Sequence, residues 1–118
     1  MLSLPSAVRI FLCTEPTDMR RGFDRLAEMV RFVIRQAPLS GHLFVFRSRI
    51  GDRLKLLYWN GDGYALWYKR LEKGRFHLPA SVLPDGRIDV RELAMMLEGV
   101  DLSAARRLPR FSLPGLGA

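Results

Sequence analysis

The sequence predicts an α+β domain, in which a mostly antiparallel sheet of four to five strands is packed on one long N-terminal helix. A short second helix is expected near the C-terminus. Three observations lead to this prediction: an apolar stripe at helical spacing, a middle section of short β-branched and aromatic runs, and a capped amphipathic segment after them. The order strand, helix, three or four strands, helix favours this class.

The long helix is predicted over residues 18–36. Thr17 fits the N-cap position, and Pro38 and Gly41 end the helix. Phe32 lies on the opposite, arginine-rich arc, so it is either a contact for a partner or an ordinary exposed residue. The apolar residues of the stripe recur at alternating spacings of four and three: Met19, Phe23, Leu26, Val30 and Val33.

Strands are predicted over residues 8–12, 43–46, 54–59 and 64–70, with a further short one over 74–78. The tetrapeptide at residues 60–63, Asn-Gly-Asp-Gly, is a strong signal for a hairpin, because Asn and Gly tolerate positive φ. Pro79, Pro84 and Asp85-Gly86 predict a loop.

The second helix is predicted over residues 89–98. Asp89 and Glu92 have the spacing of a capping box. Val90, Leu93 and Leu97 lie on its apolar face, together with Ala94, and are candidate contacts for a protein partner.

An even two-residue loop at the hairpin predicts the pairing of its strands. One face then mixes aromatic and cationic side chains, whereas the other is better suited to burial against helix 18–36. The mixed face is a candidate surface for nucleic acid, and the alternative that it is buried under the second helix or a partner subunit stays open. The predicted pairs are Trp59 with Tyr64, Leu57 with Leu66, Lys55 with Tyr68 and Arg53 with Arg70, and the other face holds Leu54, Leu56, Tyr58, Ala65 and Trp67.

The charge is high and unevenly placed. The net charge is +7 with a pI near 10.5, and residues 43–79 hold eight cations against three carboxylates. This favours a polyanionic partner, nucleic acid before an anionic membrane, over charge that serves only solubility. The turn at residues 47–53 is interpreted as a flexible basic finger suited to phosphate or minor-groove contacts, and the alternative of a solvated hairpin tip stays open. The candidate DNA-binding residues, expected along one strand surface, are Arg20, Arg47, Arg49, Arg53, Lys55, Trp59, Tyr64, Tyr68, Lys69, Arg70, Lys73 and Arg75.

Catalysis and cofactors have little support in the sequence. Cys13 is the lone cysteine, which excludes an internal disulfide and fits a buried thiol in a reducing cytoplasm. His42 and His77 are isolated from other metal-ligating residues. There is no phosphate-binding loop, nucleophile elbow, signal peptide or membrane span, so we expect a cytoplasmic protein that is not an enzyme and needs no metal or cofactor.

Residues 1–101 are predicted to form a single domain, and residues 102–118 a flexible tail. The tail carries a second basic stretch with Arg106, Arg107 and Arg110.

Four ordered blocks resemble one bacterial family. The first is residues 16–24 (PTDMRRGFD), and the second joins residues 40–47 (SGHLFVFR), 51–55 (GDRLK) and 57–59 (LYW). The third is residues 68–76 (YKRLEKGRF), and the fourth is residues 93–99 (LAMMLEG). Together they are similar to the TnpB accessory protein, encoded by the second reading frame, of IS66-type insertion sequences. The resemblance covers roughly residues 2–101 and implies a role in transposition beside a separate, larger transposase. It carries over no catalytic residue, and the DNA-binding candidates rest on charge and on the mixed aromatic and cationic face, not on the resemblance.

Two hypotheses follow. The first is an accessory factor that binds the DNA backbone and helps to assemble the transposase on the ends of the element, in the nucleoid-associated cytoplasm. The second is an interaction module that binds the transposase without contacting DNA, with Phe32, the Trp59 and Tyr64 face, and residues 90–97 as contacts. A small nuclease is a distant third. A homo-oligomer is possible under each.

Overall fold

The computed structural model describes residues 7–98. The predicted tail with Arg106, Arg107 and Arg110, and the domain boundary at residue 101, lie outside the described residues. The elements are β1 (Ile10–Leu12), α1 (Phe23–Met29) with a π-helical turn (Val30–Ile34), β2 (Leu43–Arg47), β3 (Arg53–Trp59), β4 (Tyr64–Arg70), β5 (Arg87–Ile88) and α2 (Val90–Glu98).

The five strands form one mixed sheet in the order β4-β3-β2-β1-β5. β2, β3 and β4 form an antiparallel meander, and β5 is antiparallel to β1. β1 and β2, however, are parallel, because the chain crosses over through α1 before it returns to the sheet. The predicted fold class is therefore wrong in two respects: the sheet is mixed, and no long N-terminal helix is packed on it.

The N-terminal helix is short because its expected first turn is bonded elsewhere. The N–H of Thr17 donates to the carbonyl of Arg47, and Lys55 Nζ donates to the carbonyls of Met19 and Arg21. These bonds hold residues 17–21 against the sheet, outside helical geometry, and α1 begins at Phe23. After Met29 the chain widens into the π-helical turn, which Arg35 ends in the left-handed conformation with φ 67°.

The two helices cover opposite faces of the sheet. α1 and the π-helical turn contribute Leu26 and Val30 to a cluster with Phe44, Phe46 and Leu57, on what we call the α1 face. The expectation that this helix would cover Leu54 and Leu56 is wrong, since these two side chains lie on the opposite face of the sheet and pack against α2. On this second surface, the α2 face, the cluster contains Leu54, Leu56, Leu93, Met96 and Phe76.

Several local predictions are confirmed. Asn60 N–H donates to the Gly63 carbonyl across the hairpin, and all four predicted cross-strand pairs form. The Asp89 and Glu92 side chains each accept a hydrogen bond from the other's backbone N–H, as the capping box requires. The thiol of Cys13 is buried, and burial raises its pKa.

Two segments between β4 and α2 differ from prediction. Residues 74–78 form no strand beyond one bridging residue, and Phe76 instead inserts fully buried into the core of the α2 face. The loop marked by Pro79, Pro84 and Asp85-Gly86 forms as predicted, but the short strand β5 that follows it was not predicted. Just before β5, the Gly86 carbonyl accepts from the Leu12 N–H at 2.8 Å. No helix within residues 7–98 combines the length and apolar character needed to cross a membrane.

Candidate nucleic-acid interface

Most of the candidate cations lie at one end of the sheet. The C-terminal ends of β2 and β4 meet there with the start of β3, because Arg53 pairs with Arg70 and Leu54 lies between Arg47 and Lys69. Two loops, residues 48–52 and 71–76, extend beyond the strands. We call this region the basic end. Its cations are Arg47, Arg49, Arg53, Lys69, Arg70, Lys73 and Arg75.

The two loops of the basic end are bonded to each other. Leu71 N–H donates to the Asp52 carbonyl and Phe76 N–H to the Gly51 carbonyl, both at 2.8 Å. Ser48 Oγ accepts from the backbone N–H groups of Gly51 and Arg53. The interpretation of residues 47–53 as a flexible finger does not fit these bonds, which fix the cations on a braced platform.

Arg47 is half-buried and holds the two loops of this platform together. Its Nε donates to the carbonyl of Phe76 at 3.1 Å. Its guanidinium lies where a Cβ on Gly51 would be, and Gly51 also has a positive φ of 93°. Desolvation, followed by the nearby charge of Arg75, lowers the pKa of Arg47. An arginine remains a cation under such a shift, so this half-buried group adds to the positive field of the basic end.

The cations do not form a strip along one face. Side chains alternate along a strand, so Arg53 and Arg70 lie on the α1 face, whereas Arg47 and Lys69 lie on the α2 face. The expected single surface is therefore replaced by a positive corner that wraps around the end of the sheet. Arg49, Lys73 and Arg75 extend it from the loops, and all three are exposed.

Carboxylates neutralise little of this corner. Among residues 7–98 two salt bridges form, Arg70 with Glu72 at 3.1 Å and Arg20 with Asp18 at 2.7 Å. Glu72 is exposed, so its pair with Arg70 is weak and screened by salt. Asp52 is the other carboxylate at this end, and it accepts a hydrogen bond from Ser48 Oγ. Seven cations thus face two carboxylates.

Lys55 is separated from the other cations by burial. Its side chain is 6% exposed, and Nζ donates to the carbonyls of Met19 and Arg21 at 2.8 Å each. Nζ also lies 4.6 Å from the centre of the Tyr68 ring. Burial lowers the pKa of Lys55, and the charge of Asp18 opposes this. The ammonium is thus occupied by the protein itself and presents little to a phosphate.

The aromatic candidates divide between the two ends of β4. Tyr68 lies beside the basic end, is 48% exposed and accepts a hydrogen bond from Arg53 Nη1 at 3.4 Å. Trp59 and Tyr64 lie at the hairpin end, in edge-to-face contact at 5.2 Å. Arg20 lies on the turn before α1, held by Asp18. The structure therefore brings Tyr68 to the basic cluster but not Trp59, Tyr64 or Arg20.

The candidate partner residues also divide. Phe32 and Val90 are 69% and 59% exposed. Leu93 is buried and Leu97 half-buried, both against the core of the α2 face. Phe32 and Val90 are therefore the two that are largely exposed.

Sequence reasoning missed the residues that brace the basic end: Ser48, Gly51 and Phe76. A glycine beside an aspartate in a turn signalled Gly51, but no local pattern signals that Phe76 enters the core. In the part of the chain that the structure describes, no three His, Cys, Asp or Glu side chains converge as a metal site.

The chain matches one protein family and is similar to two proteins of known sequence. Residues 8–107 match the family model described as IS66 Orf2 like protein. The uncharacterized protein y4hO of Sinorhizobium fredii is 43% identical over 100 residues, which are 83% of this chain and 87% of that protein. The uncharacterized protein y4jC of the same organism is 34% identical over 111 residues, covering 92% and 93% of the two chains. No solved structure matches the chain.

Proposed function

The chain belongs to the IS66 Orf2-like family of insertion-sequence accessory proteins, and we propose that it assists transposition by holding the sugar-phosphate backbone of DNA at its basic end. It acts without catalysing strand cleavage or transfer. The supporting observation is the placement of seven cations on braced loops and strand ends, opposed by two carboxylates. Such a cluster favours phosphate over base contacts, and so binds with little sequence preference.

The shape of the basic end suits this role. Exposed Arg49, Lys73 and Arg75 project from loops that are fixed by backbone hydrogen bonds. Little ordering of the loops is then needed when DNA binds, which favours affinity. Cations on both faces suit contact with phosphates on either side of a groove. Tyr68, half exposed beside Arg53, offers a ring or hydroxyl to a sugar or phosphate.

The test is salt-dependent binding to a short DNA duplex, measured by fluorescence anisotropy. Binding to the parent protein should weaken steeply as salt rises, and the triple variant Arg49→Ala, Lys73→Ala, Arg75→Ala should lose about 0.9 in log–log slope for each phosphate contact removed. The matched control, Arg25→Ala, Arg31→Ala, Arg91→Ala, removes the same charge from exposed positions on the helical segments. Equal losses in both variants, or no binding by the parent at low salt, would contradict the proposal.

A second candidate function is binding to the transposase of the same element without DNA. The observation in its favour is the exposure of Phe32 and Val90, two apolar side chains that belong to neither core cluster. Co-purification of the tagged protein with the transposase, unchanged by nuclease and weakened by Phe32→Ser or Val90→Ser, would support it. Loss of the complex on nuclease treatment would favour the DNA-bound alternative.

A further inference from the structure

The outer edge of β4 is open in the described region. β4 lies at one end of the strand order and pairs with β3 alone among residues 7–98. It is seven residues long and contains no proline, and its charges lie only at its C-terminal end, at Lys69 and Arg70. An edge strand of this kind is a template for pairing with another strand.

The hydrogen bonds of the hairpin determine which backbone groups face outward. Asn60 N–H donates to Gly63 at one end, and Leu71 N–H donates to Asp52 at the other. Hydrogen-bonded and non-hydrogen-bonded pairs alternate in an antiparallel ladder. Counting from either end gives the same result: Ala65, Trp67 and Lys69 bond to β3. The outward N–H and C=O groups belong to Tyr64, Leu66, Tyr68 and Arg70.

We propose that this edge binds β4 of a second copy of the chain, in antiparallel orientation, about a two-fold axis at Trp67. With the axis at this position, all four outward-facing residues find hydrogen-bonding partners: Tyr64 meets Arg70 of the second copy, and Leu66 meets Tyr68 of the second copy. A two-fold interface of this kind is self-complementary. The result is a continuous sheet of ten strands.

Charge selects the orientation and the axis. Parallel pairing would align Lys69 and Arg70 beside their own copies, where like charges repel. Antiparallel pairing about Trp67 places Lys69 opposite Ala65 and Arg70 opposite the ring of Tyr64. A shift of the axis by two residues, to Lys69, would bring two ammonium groups together. The cationic half of each strand thus fits the apolar and aromatic half of the other.

Apolar surface supports the same arrangement. Leu66 and Trp67 are half-buried and Tyr68 is 48% exposed, so the strand presents uncovered apolar area on both faces. The two Trp67 side chains meet in a non-hydrogen-bonded pair, where Cα atoms approach to about 4.5 Å. Paired aromatic residues at such a site stabilise a sheet.

Disulfide cross-linking tests the axis. In a Cys13→Ala background, Trp67→Cys should form a disulfide-linked dimer under mild oxidation, because residue 67 faces its own copy. Ala65→Cys alone should not, whereas a mixture of Ala65→Cys and Lys69→Cys chains should form the mixed dimer. The mixed pair leaves Trp67 in place, so the test survives if Trp67→Cys fails to fold. Equal cross-linking of every variant, or of none, would overturn the proposal.

Light scattering tests the association itself, without DNA and therefore independently of the proposed function. The protein should have twice its 13.5 kDa mass at concentrations of tens of micromolar. Ala65→Lys should raise the dimer dissociation constant about tenfold, since two like-charge contacts with Lys69 form per dimer, and Ala65→Glu should lower it. The double variant Ala65→Lys, Lys69→Glu should restore the dimer. A monomer at these concentrations, including one whose edge is covered by its own residues 99–118, would refute the pairing.

Discussion

The ammonium of Lys55 lies 2.8 Å from the carbonyl oxygen of Met19, a residue 36 positions earlier in the chain. This bond fixes the turn before α1 to the middle of the sheet. The same ammonium bonds the carbonyl of Arg21, and α1 starts only at Phe23, after this anchored turn.

Removal of this ammonium should destabilise the fold. Lys55→Met keeps an apolar stem but leaves the carbonyls of Met19 and Arg21 without their donor, which should lower the free energy of unfolding by about 2–3 kcal/mol. Urea denaturation followed by circular dichroism measures this. Lys69→Met, at an exposed position in the neighbouring strand, should change it by less than about 0.5 kcal/mol. Similar costs for the two would refute the structural role of Lys55.

Gly86 should tolerate no side chain. Its φ is +89°, and a Cβ there would lie 2.8 Å from the backbone oxygen of Leu12. Gly86→Ala should therefore cost about 2 kcal/mol or more, from the left-handed backbone and from displacement of β1. Gly63→Ala is the matched control, because a Cβ there meets nothing within 4 Å. The thermal unfolding midpoint, measured for both variants and the parent, should fall for Gly86→Ala and change little for Gly63→Ala. A harmless Gly86→Ala would contradict the close contact with β1.

Phe76 lies outside the helices and strands, yet its truncation should strongly destabilise the fold. The ring is fully buried in the core of the α2 face, so Phe76→Ala should lower the free energy of unfolding by about 3–5 kcal/mol. Phe32→Ala removes the same ring from a site that is 69% exposed and should cost less than about 1 kcal/mol. Chemical denaturation of the two variants provides the comparison, and equal costs would show that Phe76 is not a core residue.

His42 should make stability depend on pH. Its Nδ1 accepts a hydrogen bond from the Arg9 backbone N–H at 3.0 Å, and burial followed by the charge of Arg9 lowers its pKa below the ordinary value of 6.5. The neutral ring is therefore favoured by folding. Its contribution is fully present above the unfolded pKa and is lost as pH falls through the lower, folded value.

The free energy of unfolding between pH 7.5 and 5 tests this prediction. It should fall for the parent and fall less for His42→Ala, in which the ring and its proton are removed. Parallel pH profiles for the two proteins would mean that other groups produce the dependence.

Features encoded by neighbouring residues were predictable from the sequence. The hairpin at residues 60–63 and the register of β3 with β4 were correct because turn chemistry and alternation fix them locally. The cap of α2 at Asp89 and Glu92 is equally local. The basic end was visible as charge, although its division between two faces was not.

Features that depend on distant residues were not predictable in this way. The start of α1 depends on Lys55, and the parallel pairing of β1 with β2 depends on a crossover through α1. The assignment of faces failed because both sides of β3 are apolar: Leu57 on one and Leu56 on the other are each fully buried. A sheet covered on both faces gives no alternation from which to choose a side.

The position of β1 between β2 and β5 has a consequence for the synthesis of the protein. β1 leaves the ribosome before the other four strands of the sheet, yet its second edge is covered only when residues 87–88 arrive. A nascent chain stopped before that point has an uncovered strand edge and lacks α2 over Leu54 and Leu56. Such a truncated product is prone to aggregate. Translation through α2 therefore covers the second edge of β1 and the apolar side chains of the α2 face.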